Sequence, residues 1–144
     1  MRIILSIICL CLATPRMHIF ACTGFFATKG EVVLVGNNED YFNTTQTKIV
    51  IKPPEGNKHG RLFFGFGSSA PHYGFGEFNP QGGMNDQGLF FDCFATPPLP
   101  VTESAYKPKF KGHPFEVLLA ECATVEDVLV KFNNYNLDFM KKFQ

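Results

Sequence analysis

The hairpin that sets the fold of this chain is encoded by residues 22–40, CTGFFATKGEVVLVGNNED. A β-prone run comes first, a glycine follows, and a second run rich in valine and leucine completes the segment. A glycine-containing two-residue turn between two such runs predicts a β-hairpin. We place the first strand at residues 22–28, the turn at residues 29–30 and the second strand at residues 31–37.

This register places polar side chains beside Cys22, the first residue of the hairpin. Cys22 then lies opposite Asn37, with about 5 Å between their Cβ atoms. Asn38 and Asp40 follow at the same end of the second strand. The prediction depends on the length of the turn, since a slip of one residue moves the pairing to the other face of the hairpin.

An apolar segment precedes the hairpin and indicates export. Residues 3–13 form an 11-residue apolar run behind Arg2, which is too short to span a bilayer as a helix but is typical of the core of a signal peptide. Ala21 suits the position before a cleavage site. We therefore predict a signal peptide at residues 1–21 and a secreted or periplasmic mature chain; an uncleaved membrane anchor is the alternative interpretation.

Cleavage between Ala21 and Cys22 leaves a free α-amine and a thiol on one residue. The thiolate is the reactive form of cysteine, and an α-amine with a pKa of about 8 can accept the thiol proton. A carboxylate can orient the amine, and amide side chains can donate hydrogen bonds to an oxyanion. We predict Cys22 as the nucleophile, Asp40 as the carboxylate, and Asn37 and Asn38 as the groups that bind the substrate or oxyanion.

Cys22 has two other interpretations. A cysteine directly after a signal peptide also begins a bacterial lipoprotein, which would be membrane-anchored by a lipid on Cys22 and would not be catalytic. Phe20 is bulky where a lipidation signal has a small residue, and a strand-like run rather than a polar tether follows. The third interpretation is a structural cysteine.

The composition is that of a globular protein, with 45% apolar and 18% charged residues. Thirteen basic residues balance thirteen acidic ones, and the sequence has no basic stripe of the kind that nucleic-acid binding requires. The four histidines have no metal-ligand spacing, so we expect neither a metal nor another cofactor. These features predict no nucleic-acid partner and leave a homo-oligomer open. We expect no membrane span after cleavage.

The middle of the chain predicts further strands. Residues 45–52 alternate weakly, and residues 61–67 form an aromatic-rich run. Residues 65–83 are rich in glycine and phenylalanine and predict a flexible connection; the alternative is an aromatic wall of a substrate pocket. Residues 89–95 predict a strand that is covered on both faces, in which Asp92 is either a solvated edge carboxylate or a pocket residue.

The hydrophobic period changes to that of a helix after residue 113. Apolar residues at i, i+3, i+4 and i+7 predict a first helix with Pro114 at its first position and a second helix with Thr124 as its N-cap. Their apolar stripes are Phe115, Leu118, Leu119 and Cys122 in the first helix and Val125, Val128, Leu129 and Phe132 in the second. Antiparallel strands followed by helices indicate an α+β class.

Three blocks resemble, in the same order, the N-terminal half of the choloylglycine hydrolase and penicillin V acylase group: residues 22–26, CTGFF; residues 36–40, GNNED; and residues 83–89, GMNDQGL. These N-terminal-nucleophile hydrolases, which are related to the isopenicillin-N acyltransferases, cleave linear, non-peptide amide C–N bonds. The resemblance implies an αββα sandwich, a small-molecule amide substrate, a thioester acyl-enzyme on Cys22 and an amine-orienting role for Asp40.

The chain departs from that group in two respects. Many members have an arginine after the glycine of the second block, and Asn37 stands in its place. Members also carry a long C-terminal half that completes the sandwich. The resemblance therefore implies that residues 22–144 are the N-terminal part of such a domain. A chain that ended at residue 144 is expected to be poorly folded and inactive. An inactive, truncated relative that binds acyl ligands through a phenylalanine-rich pocket is a further alternative.

Overall fold

The computed structural model describes residues 22–40, 46–67, 78–94 and 106–137. The described elements are the strands β1 (Thr23–Lys29), β2 (Val32–Asn38), β3 (Thr47–Lys52), β4 (Arg61–Gly67), β5 (Phe78–Asn85) and β6 (Phe90–Asp92), followed by the helices α1 (Pro114–Glu121) and α2 (Val125–Asn134). The predicted signal peptide lies outside the described residues.

These elements form two antiparallel sheets and a helical layer. β1 and β2 make a two-stranded sheet, and the other four strands make a second sheet in the order β3-β4-β5-β6. The first helix, α1, packs against β5 of the larger sheet. The α+β class predicted from the sequence is therefore confirmed.

The hairpin is present, but its predicted turn is wrong by one residue. Strand pairing runs from Thr23 opposite Asn38 to Lys29 opposite Val32, so the two turn residues are Gly30 and Glu31. Gly30 has a φ of 61°, and a glycine at the first turn position is typical of a type II′ hairpin, whose twist matches that of the strands. The correction shifts the pairing by two positions, which leaves every side chain on the face predicted for it.

Strand β5 corrects the prediction of a flexible connection at residues 65–83. Its proline and glycines resemble loop signals, but each has a place in the sheet. Pro80 pairs with Gly65 where the register shifts, and a bulge is one of the few sheet positions that accept a residue without an N–H. At Gly82 a Cβ atom would lie 2.1 Å from the ring of Phe64, so the absence of a side chain lets that ring cross the strand. The proposed aromatic wall falls largely on residues 68–77, outside the described part of the chain.

Strand β6 is shorter than predicted. It pairs with β5 from Gly82 opposite Asp92 to Met84 opposite Phe90, and the N–H of Cys93 still donates to the carbonyl of Gln81 over 2.8 Å. If the strand continued, its next residues would lie opposite Pro80, which has no backbone N–H to donate to a neighbouring strand. The pairing therefore stops at the β5 bulge.

The core lies between the larger sheet and the helices. Phe63 of β4, Leu119 of α1 and Cys122 just after it are almost fully buried, at 0%, 1% and 1% exposure. The predicted roles of Pro114 and Thr124 are confirmed: Pro114 opens α1, and Thr124 forms a capping box with Asp127 at the start of α2.

The apolar stripe predicted for α2 is only partly buried. Val128 and Phe132 pack against the core, as predicted from their spacing. Val125 and Leu129 of the same stripe are 60% and 55% exposed. The stripe is wider than the surface that α1 and the sheet present to it.

His113, at the start of α1, makes the stability of the fold depend on pH. Its ring lies 5.5 Å from that of Phe115 between centroids, and burial lowers its pKa to about 4, with Glu116 and Lys52 acting in opposite directions. The unfolded chain takes up a proton near the ordinary pKa of about 6.5, and the folded chain does not. Stability therefore falls as pH drops from about 6.5 to about 4.

We expect the free energy of unfolding to decrease by about 1–2 kcal/mol between about pH 7 and pH 4.5, a value kept small because the ring is only half-buried. Urea unfolding across this range measures it. His113→Phe keeps an aromatic ring against Phe115 but cannot be protonated, so its unfolding energy should vary much less over the same range. An equal dependence in the variant and the original chain would contradict the assignment.

Candidate active site

Cys22 immediately precedes β1, and its side chain meets a carboxylate from the end of β2. By continuation of the hairpin register, Cys22 lies opposite Glu39, because Thr23 pairs with Asn38. The thiol donates a hydrogen bond to Oε2 of Glu39 over 3.0 Å. The predicted partner at this position was Asn37, and the two-residue shift of the pairing accounts for the difference.

Asn37 joins this carboxylate to the larger sheet. Its Nδ2 donates to Oε1 of Glu39 over 2.7 Å and to Oδ1 of Asp92 over 2.8 Å. We call this arrangement the Asn37 bridge; it consists of Glu39, Asn37 and Asp92. Oδ1 of Asn37 is buried and accepts no hydrogen bond from the described residues. With both Nδ2 hydrogens engaged, the side chain in this conformation holds two carboxylates together.

A second contact joins the hairpin to the segment that follows β6. Phe94 lies over Gly24 so closely that a Cβ atom at this glycine would be 2.5 Å from the tip of the ring. Gly24 and Cys22 are two residues apart on an extended segment, so they share a face of the hairpin. The face that carries Cys22 is thus the face that meets β6.

The charges around Cys22 keep its thiol protonated. The hydrogen bond to Glu39 is the largest cause that raises the pKa of Cys22, and a hydrogen bond from the backbone of Asp40 acts in the opposite direction. Burial raises the pKa of Asp92, and the negative charge of Glu39 raises it further. The charges of Glu39 and Asp40 thus act on the Cys22 thiol, and a positive charge on this residue would be stabilised by both.

The predicted site residues fall into two groups. Cys22, Asn37 and Asp40 are brought together, with Asp40 contributing a backbone hydrogen bond to the cysteine side chain. Asn38 pairs with Thr23, and alternation along the strand turns its side chain to the face away from Asn37.

Sequence reasoning missed Glu39 and left Asp92 between two interpretations. Glu39 follows Asn37 by two residues, so the alternation that placed Asn37 on the cysteine face would also have placed Glu39 there once the turn was positioned correctly. Asp92 is half-buried and accepts hydrogen bonds from Asn37 and from the backbone of Cys93. It is therefore a partly buried member of the site rather than a solvated edge carboxylate.

The other described thiols differ from Cys22. Cys93 and Cys122 are both free and do not form a disulfide. Burial raises the pKa of Cys93 to about 12 and also raises the pKa of Cys122. Within the described parts of the chain, no three His, Cys, Asp or Glu side chains are grouped closely enough to hold a metal ion.

Comparisons of the chain with protein-family models, with curated proteins and with solved structures gave no match. None of the helices formed by the described residues combines the length and apolar character needed to cross a membrane.

Proposed function

We propose that this protein is a hydrolase of linear, non-peptide amide C–N bonds that uses Cys22 as an N-terminal nucleophile after removal of residues 1–21. The observation that carries the proposal is the position of Cys22. It stands immediately before β1 with its thiol against Glu39 and a backbone hydrogen bond from Asp40. A cut just before Cys22 would leave the hairpin intact, because strand pairing begins at Thr23.

Cleavage would change the chemistry of this residue. It converts the peptide nitrogen of Cys22 into an α-amine, separated from Sγ only by Cα and Cβ. The amine accepts the thiol proton, and the resulting thiolate attacks the substrate carbonyl carbon to form a tetrahedral intermediate. The backbone hydrogen bond from Asp40 is the contact in the described structure that lowers the pKa of the thiol.

The same proton then serves the leaving group. As the C–N bond breaks, the α-ammonium gives its proton to the departing amine, and a thioester joins the acyl group to Sγ. Water attacks the thioester, gives one proton to the α-amine and regenerates the thiol with release of the carboxylic acid. Cys22 and its own amine can thus carry both half-reactions without a separate base, and no cofactor is needed.

We also propose that the sheet–helix layers are one half of an αββα sandwich. The sheet face away from α1 carries apolar side chains with large exposed fractions, including Ile49 at 69%, Ile51 at 73% and Leu62 at 39%. Phe64 and Phe90 stack on the same face with 6.3 Å between ring centroids. An apolar sheet face of this kind is what a second sheet covers in a layered fold.

The test is acyl-enzyme formation on the exported chain. The protein is incubated with a panel of N-acyl p-nitroanilides, and both p-nitroaniline release and the mass of the Cys22 peptide are recorded. We expect Cys22→Ser to reduce turnover by at least about 100-fold, because the thiol is the attacking atom. Cys93→Ser is the matched control, since that half-buried thiol has no role in the reaction and its loss should leave turnover unchanged.

The mass of the exported chain also separates the other interpretations. A thioester adduct on an unmodified N-terminal Cys22 supports the proposal. A diacylglyceryl adduct on Cys22 identifies a lipoprotein. Unchanged turnover by the Cys22→Ser variant would contradict the role of Cys22 as the nucleophile. A chain that forms an acyl adduct but does not turn over is an acyl-binding relative.

A further inference from the structure

Glu39 is the side chain in direct contact with the Cys22 thiol, and sequence reasoning gave it no role. We propose that Glu39 is a positioning residue for the nucleophile, which holds the thiol of Cys22 before cleavage and its α-ammonium group afterwards. This inference rests on the function proposed above and concerns the same site. It assigns to Glu39 the amine-orienting role that was predicted for Asp40.

Before cleavage, Glu39 contacts Cys22 through its thiol. The nitrogen of Cys22 is a peptide nitrogen and carries no charge, so the carboxylate accepts a hydrogen bond from Sγ over 3.0 Å. A neighbouring negative charge disfavours the thiolate, and the pKa of Cys22 is raised in agreement with this contact. The uncleaved chain is thus held in its less reactive form.

After cleavage, the same carboxylate favours the thiolate, because it stabilises the ammonium group that forms with it. The thiol proton can move to the α-amine, which gives an ammonium and a thiolate on one residue. Glu39 attracts the ammonium, as does Asp40 just beyond β2, so together they favour the protonated amine. One charge therefore suppresses the nucleophile in the precursor and supports it in the mature chain.

The Asn37 bridge gives the carboxylate a defined orientation. Nδ2 of Asn37 holds Oε1 of Glu39, and the other oxygen, Oε2, points to Cys22. Asn37 is held in turn by Asp92 of β6, so the position of Glu39 is set by the larger sheet as well as by the hairpin. Without the hydrogen bond from Asn37, an exposed glutamate would lose rotamer freedom when it binds the thiol, and this loss would cost free energy.

The experiment compares thiol reactivity in the two forms of the chain, without any amide substrate. The uncleaved chain of 144 residues is made by cell-free translation without membranes, and the processed chain is purified after export. Each is treated with iodoacetamide across a range of pH, and alkylation of Cys22 is followed by peptide mass spectrometry. Cys93 and Cys122, whose pKa values are raised, serve as slow references in the same sample.

We expect Glu39→Gln to change the alkylation rate of Cys22 at neutral pH in opposite directions in the uncleaved and the processed chain. In the uncleaved chain the rate rises by more than about threefold, because the carboxylate no longer opposes the thiolate. In the processed chain the rate falls by a similar factor, because the ammonium loses its partner. Glu31→Gln removes a carboxylate at the far end of the same hairpin and should change neither rate.

Equal effects in both forms, or none in either, would overturn the proposal, as would an exported chain that retains residues 1–21. Glu39 is exposed, so its replacement leaves the core intact, and circular dichroism of each variant verifies this. Glu39→Asp keeps the charge on a shorter side chain and should give intermediate rates. Because alkylation needs no substrate, failure to hydrolyse amides would contradict the proposed function alone.

Discussion

Replacing Glu116 by glutamine is expected to lower the free energy of unfolding by about 3 kcal/mol. Glu116 of α1 accepts hydrogen bonds from Nε and Nη2 of Arg61 and forms an ion pair with Lys52 over 3.0 Å. Arg61 is only 7% exposed. Removal of a carboxylate that pairs with a buried guanidinium typically costs about 3–5 kcal/mol, because the remaining charge loses its ionic partner.

The same helix provides a matched control. Glu121 pairs with Lys131 at the surface, where its side chain is 46% exposed, and Glu121→Gln should cost less than about 1 kcal/mol. Urea unfolding of both variants measures the difference. The double variant Arg61→Met with Glu116→Leu should recover most of the lost stability, since an apolar pair of similar volume can replace a buried ion pair. Equal costs for the two glutamates would show that Arg61 does not depend on Glu116.

The carboxylate of Glu116 also adds to the pH dependence of the fold. Burial would raise its pKa, but the hydrogen bonds from Arg61 and Lys52 lower it below the ordinary value of 4.5. A depressed pKa contributes stability that is present above the unfolded value and is lost as pH falls through the folded one. This loss occurs at lower pH than that caused by His113, so the two are separable in one titration.

The parts of the fold that depend on neighbouring residues in the chain could be predicted from the sequence. The hairpin of residues 22–40, the strand at residues 61–67 and the two helix starts at Pro114 and Thr124 are set by local turn, cap and periodicity signals. Strand β5 could not be predicted, because its glycines and Pro80 are explained only by Phe64 and Gly65 on the adjacent strand. Local loop signals were here overridden by tertiary contacts.

The part of the candidate site that lies within the hairpin could also be predicted from the sequence, and its contact with β6 could not. Cys22, Asn37 and Asp40 lie within one hairpin, so alternation and turn position decide their placement. The contact with Asp92 joins residues 55 positions apart, and no local pattern encodes it. The contact of the thiol with Glu39, and the link from Glu39 through Asn37 to Asp92, therefore required the structure.

Replacing Asn85 by alanine is the second substitution with a large expected effect. Asn85 ends β5 and is 4% exposed. Its Nδ2 donates to the carbonyls of Leu119 and Cys122 over 3.0 and 2.7 Å, and its Oδ1 accepts from the backbone of Gln87 and Leu89 over 3.1 and 2.9 Å. One side chain thus provides hydrogen-bond partners for backbone carbonyls at the end of α1 and for backbone N–H groups of the turn between β5 and β6.

Alanine would leave these backbone groups without their partner. A buried polar group without a hydrogen bond costs about 1–3 kcal/mol, and three of these four hydrogen bonds, those with Leu119, Cys122 and Leu89, are buried. We therefore expect Asn85→Ala to lower the free energy of unfolding by about 3 kcal/mol or more, measured by urea unfolding at neutral pH. Asn133→Ala, on the exposed side of α2, is the control and should leave stability unchanged or slightly raised, because alanine is the better helix former.

The Asn85 substitution also bears on the site, because the turn it holds leads directly into β6. Asp92 belongs to that strand and anchors the Asn37 bridge, so loosening the turn should weaken the contact between the hairpin and the larger sheet. Hydrogen exchange of the Asn85→Ala variant is expected to show faster exchange in β6 and in residues 37–39 than in β3. If exchange increases equally in all strands, Asn85 stabilises the fold as a whole and has no particular connection to the site.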